Sequence, residues 1–282
     1  MILRKGILAF ILISGLLVWA CRLQNPHGTD TPDNQGANSK KGIDTLSDYP
    51  SIDTSSLPVS LVPGGDYGRI KEQIQAERNR FSIAYAMSTS LIEKERILDS
   101  ARSYIYNMLL NRIIPFWYGV KWDFNGYAND PYEGKISCAY FVSTTLRDVG
   151  FNLNRYKFAQ QKPEWEASTL GFGHDIMIFE NPGLSSVSGC EILLHGKISD
   201  GLYFVGLDNH VGYLLVLAGN IYFINSSHII KEVVFEKARF SKAFRSSQYQ
   251  IVEISANDKL IACWIYNDPI EVVDSDSSME RK

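Results

Sequence analysis

The chain has 282 residues, with 28 Lys and Arg against 31 Asp and Glu and a formal net charge of −3. That balance leaves no electrostatic footprint for nucleic acid and no polybasic membrane patch. Only four cysteines serve so long a chain, which excludes a disulfide-stapled mini-scaffold, since a chain of this size builds a core without staples.

The first residues, "MILRKGILAFILISGLLVWAC", set Arg4 and Lys5 before an apolar run over residues 6–20 and then a cysteine. A basic start, a short apolar core and a small residue before the cysteine predict a secretory signal. The run is shorter than the roughly 20 residues a membrane-spanning helix needs. "VWAC" resembles the lipobox of bacterial lipoproteins. That resemblance implies removal of residues 1–20, lipidation of Cys21 and a membrane anchor outside the cytoplasm, with ordinary secretion as the alternative. Residues 21–65 are rich in Asn, Asp, Ser, Thr, Pro and Gly and read as a disordered tether, in which His27 is solvated. Cys138, Cys190 and Cys263 remain, an odd number that leaves at least one thiol unpaired or shared between molecules. Whether Cys190 pairs with Cys263 stays open.

A folded domain is expected over residues 66–270, with a polar tail over 271–282. Its first part holds two helical segments. The second, from Leu91 to Asn111, carries Leu91, Ile97, Ala101, Ile105, Met108 and Leu109 on one face, a packing stripe. "IIPFWYGVKWDFNGYANDPYEG" is broken by Pro115, Gly119, Gly126, Pro131 and Gly134 and predicts a loop. Its rings, among them Phe116, Trp117, Tyr118, Trp122, Phe124 and Tyr127, suit a cleft wall, and part of them suit plain loop packing.

"GKISCAYFVSTTLRDVG" turns helical from Ser137. Phe141, Val142, Thr145, Leu146 and Val149 recur at helical spacing, and Gly150 stops the run. Cys138 then occupies the first turn, where free N–H groups favour an ionised, reactive thiol. A buried structural cysteine is the plain alternative. After mixed sequence to about Gly189, strands follow in "GLYFVGL", "HVGYLLVLAG", "NIYFINSS" and "YQIVEIS", with Gly219-Asn220 as a hairpin turn. Helices first and antiparallel strands second predict an α+β domain.

A cysteine nucleophile needs a base and a group that orients the base. His210 opens a strand, and the turn brings it near Asn225, but the two are not symmetric about that turn. A bulge, a longer turn or a diagonal contact must join them. Ser226, Ser227 and His228 compete with Asn225, His195 is the reserve base, and His174 is a loop residue. A surface role for His210 and a turn role for Asn225 are the plain alternatives. The histidines and cysteines lack metal-site spacing.

The order "SCAYFV" followed by "NHVGYLLVLAGNIYFINSS", with "IPFWYG" upstream, resembles the NlpC/P60 superfamily of papain-like cysteine peptidases over about residues 97–227. The resemblance implies a papain-like fold: N-terminal helices, and a nucleophile helix packed on an antiparallel sheet. It implies Cys138 as nucleophile, His210 as base, Asn225 as orienting residue and the Cys138 N–H as an oxyanion donor. Substrate would be held by Phe116, Trp117, Tyr118, Trp122, Ser137 and Tyr140. Ser137 and Ala139 stand where the family commonly keeps an Asp and a Ser that hold a substrate amine, and Phe116 replaces a tyrosine. The expectation is a lipid-anchored hydrolase of amide bonds in cell-wall peptides, in the bacterial cell envelope, without cofactor or metal and without nucleic-acid partners. Oligomeric state is left open. The alternatives are a non-catalytic ligand-binding lipoprotein of the same fold and a hydrolase of lipid or acyl amides.

Overall fold

The computed structural model describes residues 59–181, 193 and 198–274. Cys21, His27, Cys190 and His195 lie outside them. The chain begins with two helices, α1 (Tyr67–Met87) and α2 (Leu91–Met108). Asp66 caps α1 by accepting from the Arg69 N–H at 2.8 Å, which satisfies one of the free first-turn donors. Three more helices follow: α3 (Cys138–Asp148), α4 (Arg155–Ala159) and α5 (Pro163–Leu170). The strands are β1 (Met177–Glu180), β2 (Gly201–Gly206), β3 (Val211–Leu217), β4 (Asn220–Ser227), β5 (Glu232–Lys237) and β6 (Gln248–Glu253). A last helix, α6 (Asp258–Tyr266), packs back on α1 and α2. No helix among the described residues is long and apolar enough to cross a membrane.

The strands form one sheet in the order β1-β6-β2-β3-β4-β5, with every neighbour antiparallel. Alternation divides its side chains between two cores. Phe204, Tyr213, Leu215, Tyr222, Ile224 and Val252 point toward the helices. Tyr203, Leu214, Val216, Phe223, Tyr249 and Ile251 point the other way, under Phe244 and Ala238. With both faces covered, the central strands read as continuous apolar runs. Helix α3 is bolted to β3 by the buried Tyr213 hydroxyl, which lies 2.8 Å from Thr145 Oγ1 and donates to the Val142 carbonyl at 3.1 Å. The domain is thus α+β, as composition and pattern predict.

Several expectations change. Leu91 does not join the packing stripe: it is 81% exposed, while Ala101, Ile105 and Met108 are buried. The aromatic segment is not all loop. A π-helical turn over Leu109–Ile113 and a 3₁₀ turn over Ile114–Trp117 prolong α2, and Pro115 is tolerated because a first turn needs no N–H there. Order also reaches past both expected boundaries. Val59 and Val272 are buried, the Ser60 N–H donates to Asn111 Oδ1 at 2.9 Å, and the Val273 N–H donates to Thr169 Oγ1 at 3.0 Å. Strands β1 and β5 and helices α4, α5 and α6 carried no clear sequence signal. The first four are short, and α6 ("DKLIACWIY") is apolar on too many sides to show a period.

A buried polar joint ties the first helix to α3 and to the turn that ends at Trp117. The Tyr67 hydroxyl donates to Asp148 Oδ2 at 2.7 Å and accepts from Trp117 Nε1 at 2.9 Å. Replacing Tyr67 by Phe strands a buried indole N–H and removes a donor from Asp148. Chemical denaturation should register a loss of about 1–3 kcal/mol, and an unchanged midpoint would show that the joint carries no stability.

Candidate active site

Cys138 is delivered to the sheet by backbone hydrogen bonds that begin well upstream. The segment from Gly119 to Trp122 runs along the outer edge of β5. The Gly119 N–H donates to the Val233 carbonyl and the Val233 N–H to the Val120 carbonyl, both at 2.9 Å, and the Trp122 N–H donates to Lys231 at 2.9 Å. The chain turns back so that the Ile136 N–H reaches the Lys121 carbonyl at 3.0 Å, and the Ile136 carbonyl accepts from Ser226 Oγ of β4 at 2.7 Å. Ser137 caps α3 through its backbone: its carbonyl accepts from the Phe141 N–H at 2.9 Å, and its hydroxyl makes no capping bond. Cys138 therefore opens α3 with its N–H free of any helical partner. Its sulfur is approached by the N–H groups of Val211, Ala139 and Cys138 itself.

The Val211 contact brings the start of β3 to the Cys138 sulfur, while the ring of His210, the residue before Val211, turns to the Phe223 side of the sheet. His210 is buried, and its Nε2 lies 2.9 Å from Asn225 Oδ1. The expected turn is displaced by one residue. Leu217 pairs with Asn220, and the turn residues are Ala218 and Gly219, with φ of +49° and +74°. Positive φ at both positions is what a tight hairpin with strand-like twist requires. In this register His210 meets Asn225 by a diagonal contact. Gly212 clears the way, because a Cβ there would fall 2.6 Å from the Phe223 ring, 2.7 Å from the Ile224 carbonyl and 3.0 Å from the Asn225 Cβ. The two serine competitors are otherwise engaged. Ser226 binds Ile136, Ser227 Oγ accepts from the N–H groups of Ile229 and Ile230, and the His228 ring stands edge-on to His210 at 5.0 Å.

A residue the sequence did not single out stands behind Asn225. Glu236 of β5 accepts from Asn225 Nδ2 at 3.2 Å and from Ser241 Oγ at 2.7 Å, both on Oε1. Its neighbours Val233 and Phe235 blur the alternation that would have revealed an inward-facing carboxyl.

The electrostatics overturn one expectation. Burial pushes the Cys138 thiol up, and the three N–H groups at the sulfur offset only part of this. Loss of solvation thus outweighs the helix N-terminus. Burial likewise lowers His210 to about 4, against smaller opposing effects of Asn225 and Glu236. The resting pair is therefore neutral thiol and neutral imidazole. No hydrogen bond joins Cys138 to His210. Glu166 of α5 is 1% exposed, and neither of its carboxylate oxygens has a hydrogen-bond partner. Burial first, and then repulsion from Cys138, raise it well above the usual carboxylate range.

The six expected substrate residues separate into two groups. Phe116 and Trp117 are core residues; Trp117 packs on Tyr67 and Phe141, and neither lines an open cleft wall. Ser137 is also buried. Tyr118 packs its ring on Phe235, and its buried hydroxyl lacks a partner. Trp122 lies against His228 and under the Lys231 ammonium at 4.2 Å, with its indole N–H unpaired. Tyr140 contacts Tyr127 and Tyr156. Arg155, buried and unforeseen, donates to the Ala128 carbonyl at 3.0 Å, to the Tyr127 carbonyl at 2.6 Å and to Thr144 Oγ1, and it faces the Tyr140 and Tyr156 rings. It clamps the upstream loop onto α3. An open cavity of about 560 Å³ lies in that loop, lined by Asp123, Tyr127, Glu133, Lys135 and Tyr156 among others. His174 is an exposed loop residue bonded to the Phe172 carbonyl at 2.7 Å. Cys263 is a free thiol on α6, and no cluster of metal-ligating side chains occurs among the described residues.

Two outcomes are expected. Alkylation of Cys138 by iodoacetamide should accelerate steadily as pH rises through the ordinary thiol range; a plateau at neutral pH would reveal a preformed thiolate. Glu166 holds its proton more tightly folded than unfolded, so wild-type stability falls as pH rises above the ordinary carboxyl value of 4.5 toward the higher folded value. Glu166→Gln lacks that dependence and should gain on wild type by about 1.4 kcal/mol per pH unit within the window. Parallel stability profiles would disprove it. Comparison of the chain with protein-family models, with curated proteins and with solved structures returns no match.

Proposed function

We propose that the chain is a cysteine hydrolase of amide bonds, with the papain-like arrangement of the NlpC/P60 superfamily and cell-wall peptides as its substrate class. One observation carries the reading. A cysteine at a helix N-terminus is approached by the Val211 N–H, and the residue before Val211 is a buried histidine whose Nε2 lies 2.9 Å from an asparagine oxygen. With Nε2 bonded to Asn225, His210 keeps Nδ1 to receive the thiol proton. The Cys138 sulfur attacks the amide carbon as its proton passes to His210, and the free N–H at the start of α3 stabilises the oxyanion. The amine departs with that proton, leaving a thioester. Water, deprotonated by His210, then hydrolyses the thioester and restores the thiol. Because the resting pair is neutral, proton transfer accompanies attack. The cavity lined by Tyr127 and Tyr156 does not include Cys138 or His210; both rings contact Tyr140, two residues after the cysteine, and the cavity is proposed as an outer binding site for the peptide. Lipidation at Cys21 would hold the enzyme on a membrane outside the cytoplasm.

A second reading, a ligand-binding protein without turnover, is favoured by the raised thiol and by the lack of a hydrogen bond between Cys138 and His210. Incubating the purified domain with peptidoglycan stem peptides and following products by mass decides between them. Wild type should release a new amine and a new carboxyl. Cys138→Ala should abolish both, and His210→Ala should slow release by about 10²–10⁴-fold. Undiminished hydrolysis by Cys138→Ala would sink the mechanism. Binding without any product from wild type would establish the second reading.

A further inference from the structure

We infer that Glu236 is a positioning residue: by accepting the Asn225 amide N–H it fixes which end of that side chain faces His210, and so which imidazole nitrogen can act as base. The inference rests on the Cys138–His210–Asn225 reading. His210, Asn225 and Glu236 are contributed by three successive strand segments of one antiparallel ribbon. Phe223 pairs with Glu236 and Asn225 with Val234, so strand alternation sets Phe223, Asn225 and Glu236 on one face, with Glu236 diagonal to Asn225. His210 reaches the same face across Gly212.

An asparagine amide has an accepting end and a donating end of nearly equal shape. With Oδ1 toward His210, Nε2 must carry the hydrogen, and Nδ1 is left bare and able to take a proton. With the amide turned over, its NH₂ would require Nε2 to accept. The hydrogen would then sit on Nδ1, and the imidazole would have no free lone pair for the thiol. Neither His210 nor Asn225 decides between these orientations. Glu236 does, because its Oε1 is an acceptor in both protonation states of the carboxyl, with any proton residing on the unpartnered Oε2. Ser241 Oγ donates to the same Oε1 at 2.7 Å and holds it in place. The residue is only 8% exposed, so water does not compete freely for the Asn225 N–H. A wrongly turned amide would leave its oxygen against an acceptor in a buried site, the costly case for a polar group.

The test separates the acceptor from its bulk. Glu236→Met keeps the side-chain length without an acceptor, whereas Glu236→Gln retains one acceptor oxygen. In full-length protein labelled with ¹⁵N histidine, the wild-type His210 signals should report a single neutral tautomer protonated at Nε2. Glu236→Met should show a second tautomer, and Glu236→Gln should return the first. On stem peptide, Glu236→Met should lower kcat at least tenfold with little change in KM, and Glu236→Gln should recover most of the loss. An unaltered single tautomer in folded Glu236→Met overturns the inference, as does Glu236→Gln that folds and yet behaves like Glu236→Met. If Glu236→Met does not fold, Asn225→Asp decides. Alone it sets two carboxylates together and should lower both Tm and kcat; adding Glu236→Gln supplies a donor and should restore both, and no restoration overturns the inference. Absence of turnover in wild type would defeat the hydrolase reading, whereas the tautomer measurement stands independently of turnover.

Discussion

The register of the β3–β4 ribbon is the constraint on which the proposed chemistry depends. A strand side chain alternates faces at every residue, so a slip of one position would carry His210 and Asn225 to opposite sides of the sheet. The turn at Ala218 and Gly219 prevents this, because its two positive φ values close the hairpin with Leu217 opposite Asn220. Gly212 then supplies the gap across which the diagonal contact is made. From that register follow the buried chain from His210 through Asn225 and Glu236 to Ser241, the Ser226 hydroxyl that anchors the segment before Cys138, and the Val211 N–H at the Cys138 sulfur.

Around this ribbon the molecule spends burial in a way that shapes reactivity. The sheet is covered on both faces, which gives the core its stability but also removes water from the groups that titrate. Two opposing effects meet at Cys138, and their relative size decides the outcome. Three N–H groups and the start of a helix favour the thiolate, while desolvation opposes it and prevails. His210 is moved the other way by the same cause. A neutral pair results, which suits a mechanism in which the proton moves only as the sulfur attacks. Glu166 belongs to the same picture, a carboxyl buried without a partner close enough to Cys138 for their charges to interact.

Much of the arrangement is legible before any fold is drawn. The spacing of Phe141, Val142, Thr145, Leu146 and Val149 places Cys138 in the first turn of α3, and Gly150, at a φ of +105°, ends that helix as a stop signal should. The apolar runs from Gly201 to Ser227 mark three of the strands. What escaped were elements whose local signal is weak: β5, with buried groups on both sides, and α4 and α5, too short to show a period. Arg155 and Glu236 were missed for that reason, since each acts on residues distant in sequence. The aromatic segment misled in a different way. Composition alone does not distinguish rings that line a cleft from rings that fill a core, and Phe116 and Trp117 fill the core.

The sequence by itself determined the helix at Cys138 and the antiparallel ribbon, because each is written in local periodicity and turn chemistry; it offered Cys138 and His210 as candidates, while the choice of Asn225 over its polar neighbours came from the family resemblance. Tertiary structure alone decided the shift of the turn that makes the His210–Asn225 contact diagonal, the engagement of Ser226 and Ser227 elsewhere, and the presence of Glu236 behind the asparagine. It also decided the state of the thiol. Helix position is a local property and favours ionisation, whereas desolvation is the summed effect of every element packed around the sulfur, and no local pattern encodes that sum.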